Sequence, residues 1–251
     1  MPHRHSAEPK GHPIQIVSVS LYRFPSLAAR LWVLGQMGAA RISFLGMKDV
    51  GFWKLCGSGT GEGFTPRPNT AVWAILATWP DLATARHHLH TAPVYRRWQR
   101  KAAESWTILL APTASRGAWA GRNPFAPHPQ TDTPTPGPIV ALTRATMRLS
   151  TFARFWRRVP DISAVIGQDP NVIFKIGIGE VPLLHQVTFS IWPDAASMAH
   201  FARGDGPHGR AITAVRDEGW FAEELYARFS IVQDWGTWGG IRPLAPNRDA
   251  A

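Results

Sequence analysis

The chain has almost no cysteine. Cys56 stands alone among 251 residues, which excludes an intramolecular disulfide and suits a reducing cytoplasm. Long apolar runs are missing too: no stretch approaches the roughly 20 uncharged residues of a spanning helix. Residues 1–13 are polar and His-rich, lack the apolar centre of a secretory signal, and read as a tail. There is no Gly-x-Ser-x-Gly elbow, no zinc-ligand spacing and no dinucleotide fingerprint, so no NAD(P) or flavin site is visible. Any redox chemistry would then draw its electrons from a separate carrier protein. Acidic residues are also scarce. With 17 Asp and Glu against 27 Lys and Arg, the net charge is +10, which favours anionic partners: nucleic acid, acidic lipid headgroups or an acidic electron donor.

What is present is a repeat. Phe52-Trp53-Lys54-Leu55 returns as Ile173-Phe174-Lys175-Ile176, and Trp79-Pro80-Asp81 as Trp192-Pro193-Asp194. Ala29-Arg30-Leu31-Trp32 returns as Ala153-Arg154-Phe155-Trp156. Gly117-Ala118-Trp119-Ala120-Gly121 returns as Gly236-Thr237-Trp238-Gly239-Gly240. The offsets are 121, 113, 124 and 119 residues, and the order is kept. Solenoid periods are about 20–50 residues, so this is a duplicated domain. Copy one spans 13–121 and copy two 138–240, with a Pro-rich, extended linker at 122–137.

In copy one, residues 14–21 alternate as a strand does. Pro25-Ser26 opens a helix to about Gly38. Residues 52–56 and 71–77 are strand runs around a Gly-rich loop. Asp81 is a helix N-cap, and that helical region reaches about Glu104 with a break near Pro93. Residues 107–110 close the copy. Copy two repeats the order: strand 139–146, helix 151–158, strands 172–176 and 185–191, a helical region 194–228 broken near 204–207, and strand 229–233. This βαββαβ order predicts tandem ferredoxin-like repeats. Together they form a pseudo-dimeric α+β barrel, able to hold an apolar cavity between sheet and helices. Twelve Trp and twelve Phe fit either a Trp-rich core or a large cavity or membrane-touching surface.

The copies differ at a histidine. Aligned on Trp-Pro-Asp, Pro93-Val94-Tyr95-Arg96 faces Pro207-His208-Gly209-Arg210. Pro207 fits a first helical position, which puts His208 in the first turn. Ile212 and Val215 follow on the same face, so His208 points toward the sheet. A helix N-terminus disfavours an imidazolium. A neutral, inward imidazole suits iron or haem, and equally a core histidine bonded to backbone. His185, opposite Val72, is the second candidate, against the reading of a strand-end histidine. His87, His88 and His90 read as a solvated helix face, and Cys56 as a buried thiol rather than an iron ligand. The loop Gly57-Ser58-Gly59-Thr60-Gly61-Glu62-Gly63 lacks a phosphate-loop ending and is better read as a mobile loop at a cavity mouth. In Phe152-Ala153-Arg154-Phe155-Trp156-Arg157-Arg158 the aromatics form a core stripe with arginines outside, which argues against nucleic acid and leaves lipid phosphates as partners.

Several runs in the two copies carry a further signal. They are Phe52-Trp53-Lys54-Leu55 with Gly57-Ser58-Gly59-Thr60-Gly61-Glu62-Gly63-Phe64-Thr65-Pro66, and Ala74-Ile75-Leu76-Ala77-Thr78-Trp79-Pro80-Asp81. In copy two they are Phe155-Trp156-Arg157-Arg158-Val159-Pro160-Asp161-Ile162, Phe174-Lys175-Ile176-Gly177-Ile178-Gly179-Glu180-Val181-Pro182 and His185-Gln186-Val187-Thr188-Phe189-Ser190-Ile191-Trp192. Together they resemble the spheroidene monooxygenases of purple phototrophic bacteria, over about residues 14–240. The resemblance implies an acyclic-carotenoid 2-ketolase that takes spheroidene through a 2-hydroxy intermediate to spheroidenone, with haem iron, O2 and reduced ferredoxin. No family motif assigns the iron ligand, so His208 comes from the comparison of copies. Trp73, Phe174 and Phe189 are candidates to line the substrate channel, and Lys175 to pair with haem propionates. A membrane-dissolved substrate implies peripheral contact of a cytoplasmic protein with the inner, photosynthetic membrane. Homo-oligomerisation stays open.

Overall fold

This computed structural model describes residues 13–61, 65, 67–128, 137–148, 150, 171–181, 183–203 and 220–245. Strand alternation organises them. In β1 (Ile16–Arg23), Val17, Val19 and Leu21 point one way and Ser18, Ser20 and Tyr22 the other, and all are buried. The sheet is therefore covered on both faces here. α1 (Leu27–Leu45) starts at Ser26, whose Oγ accepts from the Ala29 N–H at 3.2 Å. It runs past Gly38, beyond the expected end. Gly35 and Gly38 lie where an added Cβ would meet nothing, while Val33, Ala40 and Phe44 keep packing on the sheet. Packing outweighs the roughly 1 kcal/mol cost of each helical glycine.

β2 (Trp53–Gly59) and β3 (Pro68–Trp79) follow. Asp81 caps α2 (Leu82–Thr91), accepting from the Thr84 N–H at 2.8 Å. Pro93 then opens α3 (Pro93–Lys101), as the break predicted. β4 (Glu104–Gly117) completes copy one. Copy two supplies β5 (Ile139–Met147), β6 (Phe174–Gly179), β7 (His185–Trp192), α4 (Ala195–Arg203) and β8 (Phe221–Gly236). Residues 221–228 belong to β8 rather than to a helix. They pair on both edges, with β4 and β5, and Leu225 and Ala227 alternate into the core. The expected helix at 151–158 and His208 lie outside the described residues.

The eight strands close into an antiparallel barrel in the order β1-β3-β2-β6-β7-β5-β8-β4. Each copy thus gives four adjacent strands in matching order, and equivalent strands meet at both seams. The β4–β8 seam is long, from Trp106↔Gly236 to Gly117↔Leu225. The β2–β6 seam holds only Gly57↔Gly179 and Ser58↔Ile178. These pairings define a pseudo-two-fold axis, so the α+β barrel of tandem ferredoxin-like repeats is the observed architecture.

The Gly-x-Trp-x-Gly repeat ends each copy's last strand. Gly117 and Gly236 take φ of 92° and 98°, and a Cβ on either would lie 2.1 Å from a carbonyl of the facing strand. Only glycine permits that approach. Beyond the turn a tryptophan closes one end of the barrel: Trp119 is fully buried against Phe52, and Trp238 is half-buried under the Arg23 guanidinium. The following N–H groups are held across the seam. Glu223 accepts from Ala120 and Gly121, and Glu104 from Gly240.

Inside the barrel, Val19, Leu110, Leu142, Ile176, Phe189 and Phe229 form the core. A second core lies outside copy one's sheet, where Tyr22, Ile75, Trp79 and Leu109 meet Val33, Phe44, Tyr95 and Trp98 of the helices. Trp79, Trp98, Trp106, Trp119 and Trp220 are all fully buried, so much of the tryptophan load is core.

One sequence match shifts in space. Trp53 pairs with Ala77 and Lys175 with Ser190, and those partners are equivalent by the Trp-Pro-Asp alignment. Trp53 is thus the counterpart of Lys175, and Lys54 that of Ile176. Lys54 points into the barrel and Lys175 away from it, because a one-residue slip reverses the side of a strand.

Candidate functional site

The barrel end closed by Trp119 holds a buried group of charges. Glu180, just after β6, accepts from Lys54 Nζ at 3.0 Å and from Trp119 Nε1 at 2.7 Å on the same oxygen, Oε1. Its other oxygen lies 3.4 Å from His185 Nδ1, without hydrogen-bond alignment. Arg144 of β5 pairs with Glu223 and lies over the Trp119 ring, its Nε without a hydrogen-bond partner. Lys54 and Arg144 balance Glu180 and Glu223, as burial of charge demands.

The environment sets each titration. Burial alone would raise the Glu180 carboxyl, but bonds from Trp119 and Lys54 outweigh it and hold it below its ordinary range. Burial lowers the His185 imidazole; Glu180 pulls it up, and Arg144 and Lys54 push it down further. His185 is therefore neutral beside an ionised carboxylate, a pair able to accept or pass on a proton. Cys56 is also inside the barrel, and burial, then Glu180, pushes its thiol well above the ordinary value. It is a protonated core thiol.

Two cavities flank the short β2–β6 seam. The larger, about 500 Å³, opens at the Trp238 end and is lined by Arg23, Val72, Phe174, Lys175 and Ile176. The smaller, about 300 Å³, lies between α1 and the seam. Leu34, Met37, Trp73, Ile178 and Val181 form its apolar wall, with Glu180, His185 and Gln186 at its polar end. Ser58, Gly59 and Asn69 line both. Gly179 is needed here, since a Cβ would sit 2.0 Å from the His185 carbonyl oxygen.

The outward faces of the two half-barrels differ sharply. Copy one presents Leu55, Ile75, Trp79, Tyr22 and Leu109, all buried under its helices. The equivalent positions in copy two, by strand pairing, are Gly177, Thr188, Trp192, Ala145 and Arg228. With Lys175, Gln186, Ala141, Thr143 and Ser190, this face is smaller and more polar apart from Trp192; Gly177, Ser190 and Trp192 are buried and the others are half-buried or exposed. Trp192 packs on Phe201 of α4 at 5.0 Å between ring centroids.

The candidates from the sequence do not share one channel. Phe174 and Phe189 meet at 6.4 Å between ring centroids on the inner side, and Phe174 reaches the larger cavity. Trp73 faces outward and lines the smaller one. His185 occupies the position equivalent to Val72, opposite Thr146 where Val72 is opposite Arg23. His88 bonds Asp49 and stacks on Trp79, and His90 stacks on Trp235. Sequence reasoning missed Glu180, Arg144 and Glu223. The first follows a strand end and the others sit at alternating inward positions, so periodicity marked the positions and nothing marked the pairing.

No family model matches the chain. A spheroidene monooxygenase of Cereibacter sphaeroides is 54% identical over 233 residues, 92% of this chain and 71% of that protein. One of Rhodobacter capsulatus is 53% identical over 231 residues, 92% and 95% of the two chains. One of Rubrivivax gelatinosus is 34% identical over 215 residues, 86% and 82%. Among solved structures, an aldoxime dehydratase superposes with a TM-score of 0.59 at 14% identity, covering 90% of this chain and 84% of that one. A second aldoxime dehydratase, with butyraldoxime, gives 0.57 at 11% identity over 89% and 81%. These two share the fold.

Proposed function

The chain belongs to the spheroidene monooxygenase family, and from that premise we propose that it oxidises C-2 of an acyclic carotenoid such as spheroidene. Two successive hydroxylations convert the C-2 methylene first to the 2-hydroxy compound and then to a gem-diol, which loses water to give the ketone. Each round consumes one O2, two electrons and two protons and releases one water. Reduced ferredoxin is the donor, and the +10 net charge of the chain suits an acidic carrier.

The observation that carries the reading is the contrast of outward faces. The haem would lie on the copy-two face, where Gly177 and Thr188 stand in place of Leu55 and Ile75. His208 would hold the iron, and Lys175 and Arg228 would meet the propionates. His185, the second candidate, is turned to Glu180. Haem, when bound, supplies the activation of O2. The chain's own residues do the rest. Leu34, Met37, Trp73 and Ile178 exclude water and align an apolar chain, which sets which carbon reacts. Glu180 and His185 handle a proton at the polar end, and Gln186 belongs both to that cavity and to the copy-two face.

The test is the absorption spectrum of purified protein, as isolated and after dithionite, beside His208→Ala, with conversion of spheroidene assayed in parallel. A Soret band lost in the variant together with turnover is the expected result. A band that survives His208→Ala moves the ligand to another residue, His185 first. Turnover without any Soret band overturns the haem.

A further inference from the structure

We propose that the outer face of α1 docks on an anionic lipid bilayer and that the smaller cavity opens from this contact. The inference rests on a lipophilic substrate, as proposed above, and adds the surface.

α1 is apolar on two sides. Ala29, Val33, Ala40 and Phe44 face the sheet. Leu27, Leu31, Leu34, Ile42 and Leu45 form a second stripe, spaced by four, three, eight and three residues, and are 73%, 61%, 46%, 74% and 79% exposed. That spacing keeps them on one face. Gly38 falls between Leu34 and Ile42 on the same stripe, with nothing within 4 Å of a Cβ there. Five large aliphatic side chains in a row on water are costly unless something apolar covers them.

Charge identifies the cover. α1, α2 and α3 contain no Asp or Glu. They carry Arg30 and Arg41, Arg86, and Arg96, Arg97, Arg100 and Lys101. Lys48 follows α1 directly. The nearby acids are engaged: Asp49 with His88, Asp81 as the α2 cap, and Glu104 with Arg23. An apolar stripe on a helix layer that carries seven cations and no acid within its helices, with Arg97 of α3 donating to Ser43 of α1, matches a bilayer interface rich in acidic headgroups. The stripe is also continuous with the cavity: Leu34 belongs to both, and Met37, one turn further, lines the cavity. A lipid-soluble chain leaving the bilayer under α1 therefore meets Trp73, Ile178 and Val181 without crossing water.

Flotation of the full chain with vesicles tests this. Binding to phosphatidylcholine containing phosphatidylglycerol is expected, with weaker binding to phosphatidylcholine alone and to either at high salt. Leu31→Ser with Ile42→Ser should weaken partitioning about 100-fold, roughly tenfold per aliphatic side chain. Arg96→Ser with Arg100→Ser and Lys101→Ser should remove most of the preference for anionic lipid, about fivefold per cation. Both variants change exposed residues, and unaltered circular dichroism checks that they fold. A wild type that stays unbound, or variants that bind equally well, overturns the proposal. So does a self-associated wild type that the aliphatic variant makes monomeric while vesicle binding is absent, which would assign the stripe to a second copy. Turnover of spheroidene in detergent micelles separates the two readings. The aliphatic variant should keep it there, and a wild type inactive in micelles but vesicle-bound would refute the carotenoid reaction alone.

Discussion

Replacing Glu180 by Gln removes one charge from a place where four balance. Lys54 Nζ lies 3.0 Å from its Oε1, and the two side chains are 22% and 10% exposed. At an effective dielectric near 20 the attraction is about 5 kcal/mol, much of it offset by desolvation of both ions. What the variant loses is the partner of a mostly buried cation, which typically costs about 3–5 kcal/mol. Lys54 keeps some water contact, so about 3 kcal/mol is expected for Glu180→Gln, and the amide oxygen can still accept from Trp119. For a chain of this size that is a fall in Tm of roughly 6–12 °C. Lys54→Met should cost about the same by stranding the carboxylate. The double variant strands neither and should lose no more than either single one, a coupling of about 3 kcal/mol. Urea unfolding at neutral pH, followed by tryptophan fluorescence, measures all four. Losses that add within about 0.5 kcal/mol would refute the pairing. The pH dependence has a definite sign. The folded Glu180 value is below the ordinary 4.5, so its contribution is full above that value and disappears as the pH falls through the lower folded one. The coupling should therefore persist at pH 6 and vanish in strong acid.

Gly236→Ala forces a Cβ to 2.1 Å from the Ser105 carbonyl at φ +98°, whereas at Gly121, also at positive φ, a Cβ meets nothing within 4 Å. Chemical denaturation should show Gly236→Ala costing about 3 kcal/mol or more and Gly121→Ala only about 1. Gly177→Leu gives the copy-two face the bulk that Leu55 gives copy one; the Soret band should fall severalfold while far-UV circular dichroism stays unchanged, and full haem loading would exclude that face as the haem site. The Cys56 thiol should react with a thiol reagent only after unfolding, and rapid modification of the native protein would contradict its burial.

The repeat, the order of its strands and the caps were open to a reader of the chain, because they are local. Ser26, Asp81 and Pro93 act on the next few residues, and strand alternation is written in neighbouring side chains. The tertiary structure alone decided which strands meet. Lys54 and Lys175 look equivalent in the sequence and are not, since one residue of register reverses a side chain. Residues 221–228 read as helix, yet edges on both sides draw them into β8. Two partners of Glu180, Lys54 and Trp119, belong to the other copy and are gathered only when the two copies close. A buried charge is stable only where distant strands bring its counter-charge, and no local pattern records that distance.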